Sequence, residues 1–247
     1  MNDGQIKIDG SGENRKTLTV AVEGIDGSGK SVQFKLLKSR LEEAGYSVGV
    51  LDFPCYDSFF GSEIGRFLSG DGDVSAKSID VRSMSLWYAM DRVKAYENFD
   101  AGQYDIVLLN RSTMANAAYQ GSRVQLRAIE SGNDPQKALE DYISWLFELE
   151  FHVLGIPKPD IFFVFDVPVS VSRANVAKKG RREYVGGEKA DVYEKDELLL
   201  KTVRQGYLTC AKMFDGVKVI SCAGPGGKMR PIPEISNELM NHLRKLL

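Results

Sequence analysis

Apolar residues in this chain fall in short runs separated by longer amphipathic stretches. Leu18 to Val22, Ser47 to Phe53, Asp105 to Leu109, Ile161 to Asp166 and Val217 to Ser221 each read as a strand. Asp105 to Leu109 and Ile161 to Asp166 lack polar alternation, which marks strands buried on both faces. Helical spacing covers Lys30 to Ala44, Ser78 to Asn98, a segment through Ala117 and Tyr119, Lys137 to Leu154, Val169 to Lys178, Val192 to Phe214 and Glu234 to Leu247. Asp57 to Asp73 is glycine-rich and reads as loop with a short helix. Strands alternating with helices predict an α/β fold, a parallel five-stranded sheet with helices on both faces. Ligands then bind beyond the carboxyl ends of the strands. Gly24, Pro54, Asn110 and Asp166 all fall at such ends.

Between the first strand and the first helix lies Gly24-Ile25-Asp26-Gly27-Ser28-Gly29-Lys30-Ser31, which fits G-x-x-x-x-G-K-[ST] at every fixed position. Glycine permits close approach of backbone N–H groups to phosphate and the positive φ values such a loop needs. Lys30 then reaches the terminal phosphates, the Ser31 hydroxyl holds Mg²⁺, and the helix N-terminus faces the same anion. The reading is a nucleoside triphosphate site on a P-loop NTPase-type sheet, with ATP contacted by residues 24–31.

Composition narrows the class. With 247 residues, 43% of them hydrophobic, the chain can build one large core, taken as a single domain over 18–247 behind a polar tail over 1–17. A net charge of −2 gives no broad basic surface for nucleic acid. Cys55, Cys210 and Cys222 lie far apart without metal spacing, as expected of reduced thiols in the cytoplasm. No apolar run is long enough to span a membrane.

Other features gather near the same rim. Lys178 to Lys189 is basic and contains Arg181 and Arg182. The phosphate loop has no arginine, so a basic flap is a natural source of transition-state cations, and a lid is expected at about 178–191. Tyr88 and Arg92 are four residues apart and share a helix face, a stacking plane beside a guanidinium, which suits a nucleobase. Asn116-Ala117-Ala118-Tyr119 leaves room for a flat ligand and offers an amide to a base edge, although a small-residue packing face explains it equally well. Asp191 to Glu194 reads as a helix N-cap after the flap. The apolar segment Lys137 to Leu154 is either central in the core or part of a subunit interface.

Taken in order, these residues resemble the thymidylate kinase family from Leu18 to about Phe214. The motifs are the EG-x-D-x-x-GK loop at Glu23 to Ser31, and F-P-x-Y at Phe53-Pro54-Cys55-Tyr56. Tyr88 stands four residues before the arginine of Met90-Asp91-Arg92. A D-R-Y-like triplet at Asn110-Arg111-Ser112 is followed by Ala115 to Gln120. G-x-P-K-P-D falls at Gly155 to Asp160, D-V-P at Asp166 to Pro168, and D-x-Y-E at Asp191 to Glu194. The resemblance implies phosphoryl transfer from ATP to dTMP with Mg²⁺, usually in a homodimer. Tyr88 would stack on thymine, Arg92 bond its far carbonyl, Asn116 read the base edge and Tyr119 lie near the sugar 2′ position. Asp26 would contact the sugar or the metal shell, and Arg111 would hold the acceptor phosphate. Phe53, Tyr56 and Tyr193 complete the substrate set. Lys30, Arg111, Arg181 and Arg182 would be catalytic, with Ser31 and Asn110 at the metal. Asn110 and Ser112 replace the aspartate and tyrosine of D-R-Y, and Cys55 replaces the arginine of F-P-R-Y. An ionised phosphate acceptor needs no strong base, so Asn110 is expected to weaken the metal site without abolishing activity. A deoxynucleoside kinase would need a base. Its usual position is Phe53 here, and Asp52, one residue earlier, is expected to face away. The third alternative is a nucleotide-binding regulatory protein descended from a kinase.

Overall fold

The computed structural model describes residues 17–70, 74–179 and 196–247. Five parallel strands, β1 (Leu18–Glu23), β2 (Val48–Asp52), β3 (Ile106–Asn110), β4 (Ile161–Asp166) and β5 (Val217–Ser221), lie in the order β2-β3-β1-β4-β5. The chain leaves central β1 for β2 and β3 on one side and for β4 and β5 on the other. The crevice at the carboxyl end of β1 is therefore the topological switch point, where such sheets bind ligands. Residues Ile106 to Leu109 and Ile161 to Phe165 are buried throughout, as their unbroken apolar runs predict.

The helices are α1 (Lys30–Glu43), α2 (Phe59–Ser69), α3 (Val81–Glu97), α4 (Thr113–Glu130), α5 (Pro135–Phe147), α6 (Val169–Lys179), α7 (Glu197–Met213) and α8 (Ile232–Leu243). Where the sequence reads loop with a short helix, α2 runs for 11 residues. The Ser58 hydroxyl caps it, accepting the Gly61 N–H at 2.9 Å. The segment expected as one helix over Lys137 to Leu154 starts earlier, at Pro135. Asp134 caps it, accepting the N–H groups of Gln136 and Lys137 at 2.9 and 3.1 Å. It leaves α-helical geometry at Glu148, and residues 148–153 form a π turn.

That segment supplies part of the core. Leu139, Tyr142, Ile143, Leu146 and Phe147 are buried within one chain, where α5 packs on α4. Of its large apolar residues only Val153 is well exposed. Its buried residues therefore belong to the core of one chain. Helix α4 is buried on nearly every side from Thr113 to Arg123 because α5 and α7 both pack on it while its first turns face the crevice. Among the described residues no helix is long and apolar enough to cross a membrane.

Residues 53–58 connect β2 to α2 and border the crevice, and close packing fixes them. A Cβ at Gly61 would lie 1.9 Å from the Cys55 carbonyl oxygen. Gly61→Ala is therefore expected to displace this connection and cost about 1–3 kcal/mol, read as a lower denaturant midpoint with an unchanged slope.

Candidate active site

The phosphate loop has the backbone its sequence requires. Gly24, Gly27 and Gly29 have φ of 135°, 75° and 94°, values that side chains disfavour. A Cβ at Gly27 would fall 2.2 Å from the Ser172 carbonyl oxygen. Helix α1 begins at Lys30 with Gly29 as N-cap and no side-chain cap, so its first N–H groups are open to an anion. The Lys30 ammonium donates to the carbonyls of Gly24 and Ile25 at 2.7 and 2.9 Å. The Ile25 side chain is buried in the core, so only its backbone can serve a ligand. Helix α6 braces the loop from outside: Ser172 Oγ donates to the Asp26 carbonyl at 2.5 Å and Asn175 Nδ2 to that of Gly27 at 2.9 Å.

At the end of β3 the backbone turns sharply. Arg111 has φ 67°, left-handed for a bulky residue, and its N–H donates to the Val22 carbonyl at 3.0 Å. The turn aims the guanidinium across the crevice, where Nη2 donates to both Asp26 carboxylate oxygens at 2.8 and 3.0 Å. Tyr119 donates its hydroxyl to Asp26 Oδ2 at 3.1 Å, and the Arg111 guanidinium lies 5.4 Å from the Tyr119 ring centre. Behind them Glu23 is fully buried. It accepts Ser112 Oγ at 2.6 Å and the Tyr207 hydroxyl at 3.3 Å. Burial pushes its carboxyl up to about 7, against the opposing pull of Ser112, Arg111 and Lys30.

Helix α3 supplies the other end. Asp91 and Arg92 are adjacent but do different work. Asp91 accepts the Cys55 N–H and the Ser58 hydroxyl, both at 2.9 Å, and so pins the 53–58 connection. Arg92 is buried, and its Nε and Nη2 donate to Glu150 at 2.7 and 2.5 Å. Glu150, in the π turn, is also fully buried. It further accepts Thr113 Oγ1 at 2.6 Å and Asn116 Nδ2 at 3.1 Å. Asn116 Nδ2 also reaches the Ser85 carbonyl at 3.1 Å, while Asn116 Oδ1 is buried without a partner among the described residues. Glu150 therefore orients both Arg92 and Asn116.

One cavity of about 320 Å³ joins these parts. Asp26, Gly27, Gly29, Lys30, Ser31, Phe53, Tyr56, Tyr88, Arg92, Asn110, Arg111, Asn116 and Tyr119 all line it. Gly24, Ile25 and Ser28 shape the loop from behind. Arg181, Arg182 and Tyr193 lie outside the described residues. Asp166 has its own partner instead, an ion pair with Arg204 at 2.5 Å. Two site residues escape the sequence reading. Glu150 stands among apolar neighbours; the signal for it is that a buried arginine demands a carboxylate. Asp52, expected to face away, lines the cavity and accepts Asn110 Nδ2 at 2.8 Å. Asp52 is the last paired residue of β2 and lies on its exposed side, Phe53 beyond it is buried, and the cavity borders both. Cys55 is held as a neutral thiol: burial, then Asp91, Asp57 and Asp52, push it up to about 12.

Comparison with known proteins points to one family. Residues 22–143 match the family model described as thymidylate kinase. A Mycobacterium tuberculosis thymidylate kinase is 31% identical over 183 residues, 72% of this chain and 78% of that protein. A probable thymidylate kinase of Thermococcus kodakarensis is 30% identical over 93% of this chain and 98% of its own length. The chain belongs to the thymidylate kinase family. A solved thymidylate kinase from Candida albicans, 18% identical, superposes with a TM-score of 0.68 over 93% of this chain and 92% of that one, which speaks for the fold. The family match includes the phosphate loop, Arg92 and the Asn110 to Tyr119 stretch, whereas Glu150 lies beyond it.

Two outcomes are expected. Glu150→Gln leaves a buried guanidinium half-paired and should cost about 3–5 kcal/mol, read by urea unfolding. For Glu23, the folded carboxyl keeps its proton to about pH 7, whereas the unfolded one loses it near 4.5. Between those values the folded state binds more protons, so stability falls as pH rises, by about 3 kcal/mol in all. Glu23→Gln should abolish that component, seen as a flatter profile of unfolding free energy between pH 4.5 and 7.5.

Proposed function

We propose that this chain transfers the γ-phosphoryl group of ATP to the 5′-phosphate of dTMP, giving dTDP and ADP. The observation that carries the choice of base is the polarity at the α3–α4 end of the cavity. Glu150 uses Nε and Nη2 of Arg92, and Nη1 makes no hydrogen bond among the described residues. The buried Asn116 Oδ1 is an unmet acceptor. A donor beside an acceptor matches a pyrimidine edge with a carbonyl next to an N3–H, as in thymine. Cytosine presents the reverse, an acceptor at N3 beside an amino group, and both contacts would be lost. Tyr88, on the same helix face as Arg92, supplies the stacking plane.

The remaining roles follow from charge. The loop amides and Lys30 bind the ATP phosphates. Arg111 exchanges Asp26 for the acceptor phosphate, and Tyr119 closes the sugar side. That acceptor is already ionised near neutral pH, so no side chain has to remove a proton. Mg²⁺ suits the hard oxygen donors present, Ser31 Oγ and Asn110 Oδ1, which has no partner among the described residues, and when bound it would neutralise phosphate charge during transfer. Arg181, Arg182 and Tyr193 are assigned to the lid of the single domain, on the family pattern. The family pattern also suggests a cytoplasmic homodimer, although α5 is not the reason for one. Deoxynucleoside phosphorylation is the less supported reading, because the relatives carry thymidylate kinase names.

Coupled ADP release should appear with dTMP and not with thymidine. Asn116→Ala should raise KM for dTMP about ten- to a hundredfold, the cost of one or two lost hydrogen bonds in a dry site, with KM for ATP unchanged. Turnover on thymidine with none on dTMP would reverse the assignment.

A further inference from the structure

The D-R-Y pattern of the family places a carboxylate at the end of β3, and this chain has Asn110 there. Across the parallel register, Asp52 of β2 stands opposite Asn110 of β3. Asn110 Nδ2 donates to Asp52 Oδ1 at 2.8 Å. A carboxylate offers only acceptors, so this contact fixes which way the amide faces. The remaining Asn110 Oδ1 is buried with no partner among the described residues. Both side chains line the cavity beside Lys30, Ser31 and Arg111. The carboxylate at this end of the site is therefore present, but it stands on the neighbouring strand.

We propose that Asp52 supplies the carboxylate of the magnesium site, transposed from position 110 to β2, and that Asn110 holds it through Nδ2 while its Oδ1 stays a donor to the metal. Adjacent strands are separated by roughly 4.8 Å, well inside the roughly 8 Å over which salt screens charge at physiological ionic strength. A negative charge moved by one strand still acts on the same cation. The pair Asp52 and Asn110 carries the same net charge, one carboxylate and one amide, as an aspartate at 110 with a neutral partner at 52. On this account Asn110 is no loss of charge from the site, and the weakened metal affinity expected from the sequence does not arise. Asn110→Asp alone would set two carboxylates in contact across the strands, a repulsive arrangement.

The proposal rests on the phosphoryl-transfer reading, and its test keeps the two apart. Mn²⁺ is titrated into the full chain with saturating ADP, and free Mn²⁺ is followed by electron paramagnetic resonance. Asp52→Asn should weaken Mn²⁺ binding about tenfold or more, the scale of an outer-sphere carboxylate, while ADP binding in EDTA is unchanged. The exchanged pair, Asp52→Asn with Asn110→Asp, should bind Mn²⁺ within a few-fold of wild type. Wild-type Mn²⁺ affinity in Asp52→Asn would overturn the proposal, as would an exchanged pair no better than Asp52→Asn alone. Turnover of dTMP by the wild-type chain is measured alongside. Its absence, with Mn²⁺ binding still dependent on Asp52, counts against the dTMP assignment and supports the metal assignment.

Discussion

A charge brought to the end of a buried sheet must be paired before it can be used. Moving a single ion out of water costs several kcal/mol even after relaxation, and a buried guanidinium without a carboxylate would destabilise the fold. This chain meets that constraint residue by residue. Arg92 has Glu150, Arg111 has Asp26, Lys30 has two loop carbonyls, and Asp91 has a backbone N–H and a hydroxyl. Each pairing consumes some donors and leaves others aimed at the cavity. What remains, Arg92 Nη1 and Asn116 Oδ1 above all, is held in place before a ligand arrives. Preorganisation of that kind lowers the cost of ordering on binding.

The two arginine pairs differ in a way that bears on their work. The Arg92 and Glu150 side chains are 4% and 0% exposed, whereas Arg111 and Asp26 are 19% and 17% exposed. Opening the first would strand two ions in a dry interior, so it behaves as scaffold. Opening the second costs less, because both of its partners are partly exposed. The left-handed backbone of Arg111 belongs to the same design: an uncommon conformation is maintained where it aims a side chain across the crevice.

Much of this was legible in the sequence where the residue type admits one physical explanation. Three glycines at fixed spacing between a strand and a helix specify a phosphate loop, and Gly24, Gly27 and Gly29 take the left-handed values that explain them. The runs Asp105 to Leu109 and Ile161 to Asp166 could only be buried strands. Alternation places Asp52 opposite Phe53, but an open crevice at a strand end borders both sides, which the pattern alone does not report. Glu150 was passed over because it lies in an apolar segment read for its hydrophobic face. The apolar count of that segment also suggested a subunit contact, and only packing against α4 shows that its residues are already covered. Pattern reports which face is apolar, and it does not report what that face meets.

Asp26 ties these observations to the choice of acceptor. Its carboxylate receives Arg111 and Tyr119, and its carbonyl receives Ser172, so one residue links the phosphate loop to β3, α4 and α6. A ligand that engages Arg111 must compete with this carboxylate for the guanidinium. A neutral hydroxyl cannot, because it offers no charge in exchange. A phosphate monoester carries about −1.5 to −2 at neutral pH and three acceptor oxygens, and it matches the guanidinium fork in two-pronged fashion. On the proposed reading the same exchange releases Asp26 toward the sugar or the metal shell. On that reading the Arg111–Asp26 pair filters on charge, so that a nucleoside fails and a nucleotide passes, while the base edge falls to Arg92 and Asn116.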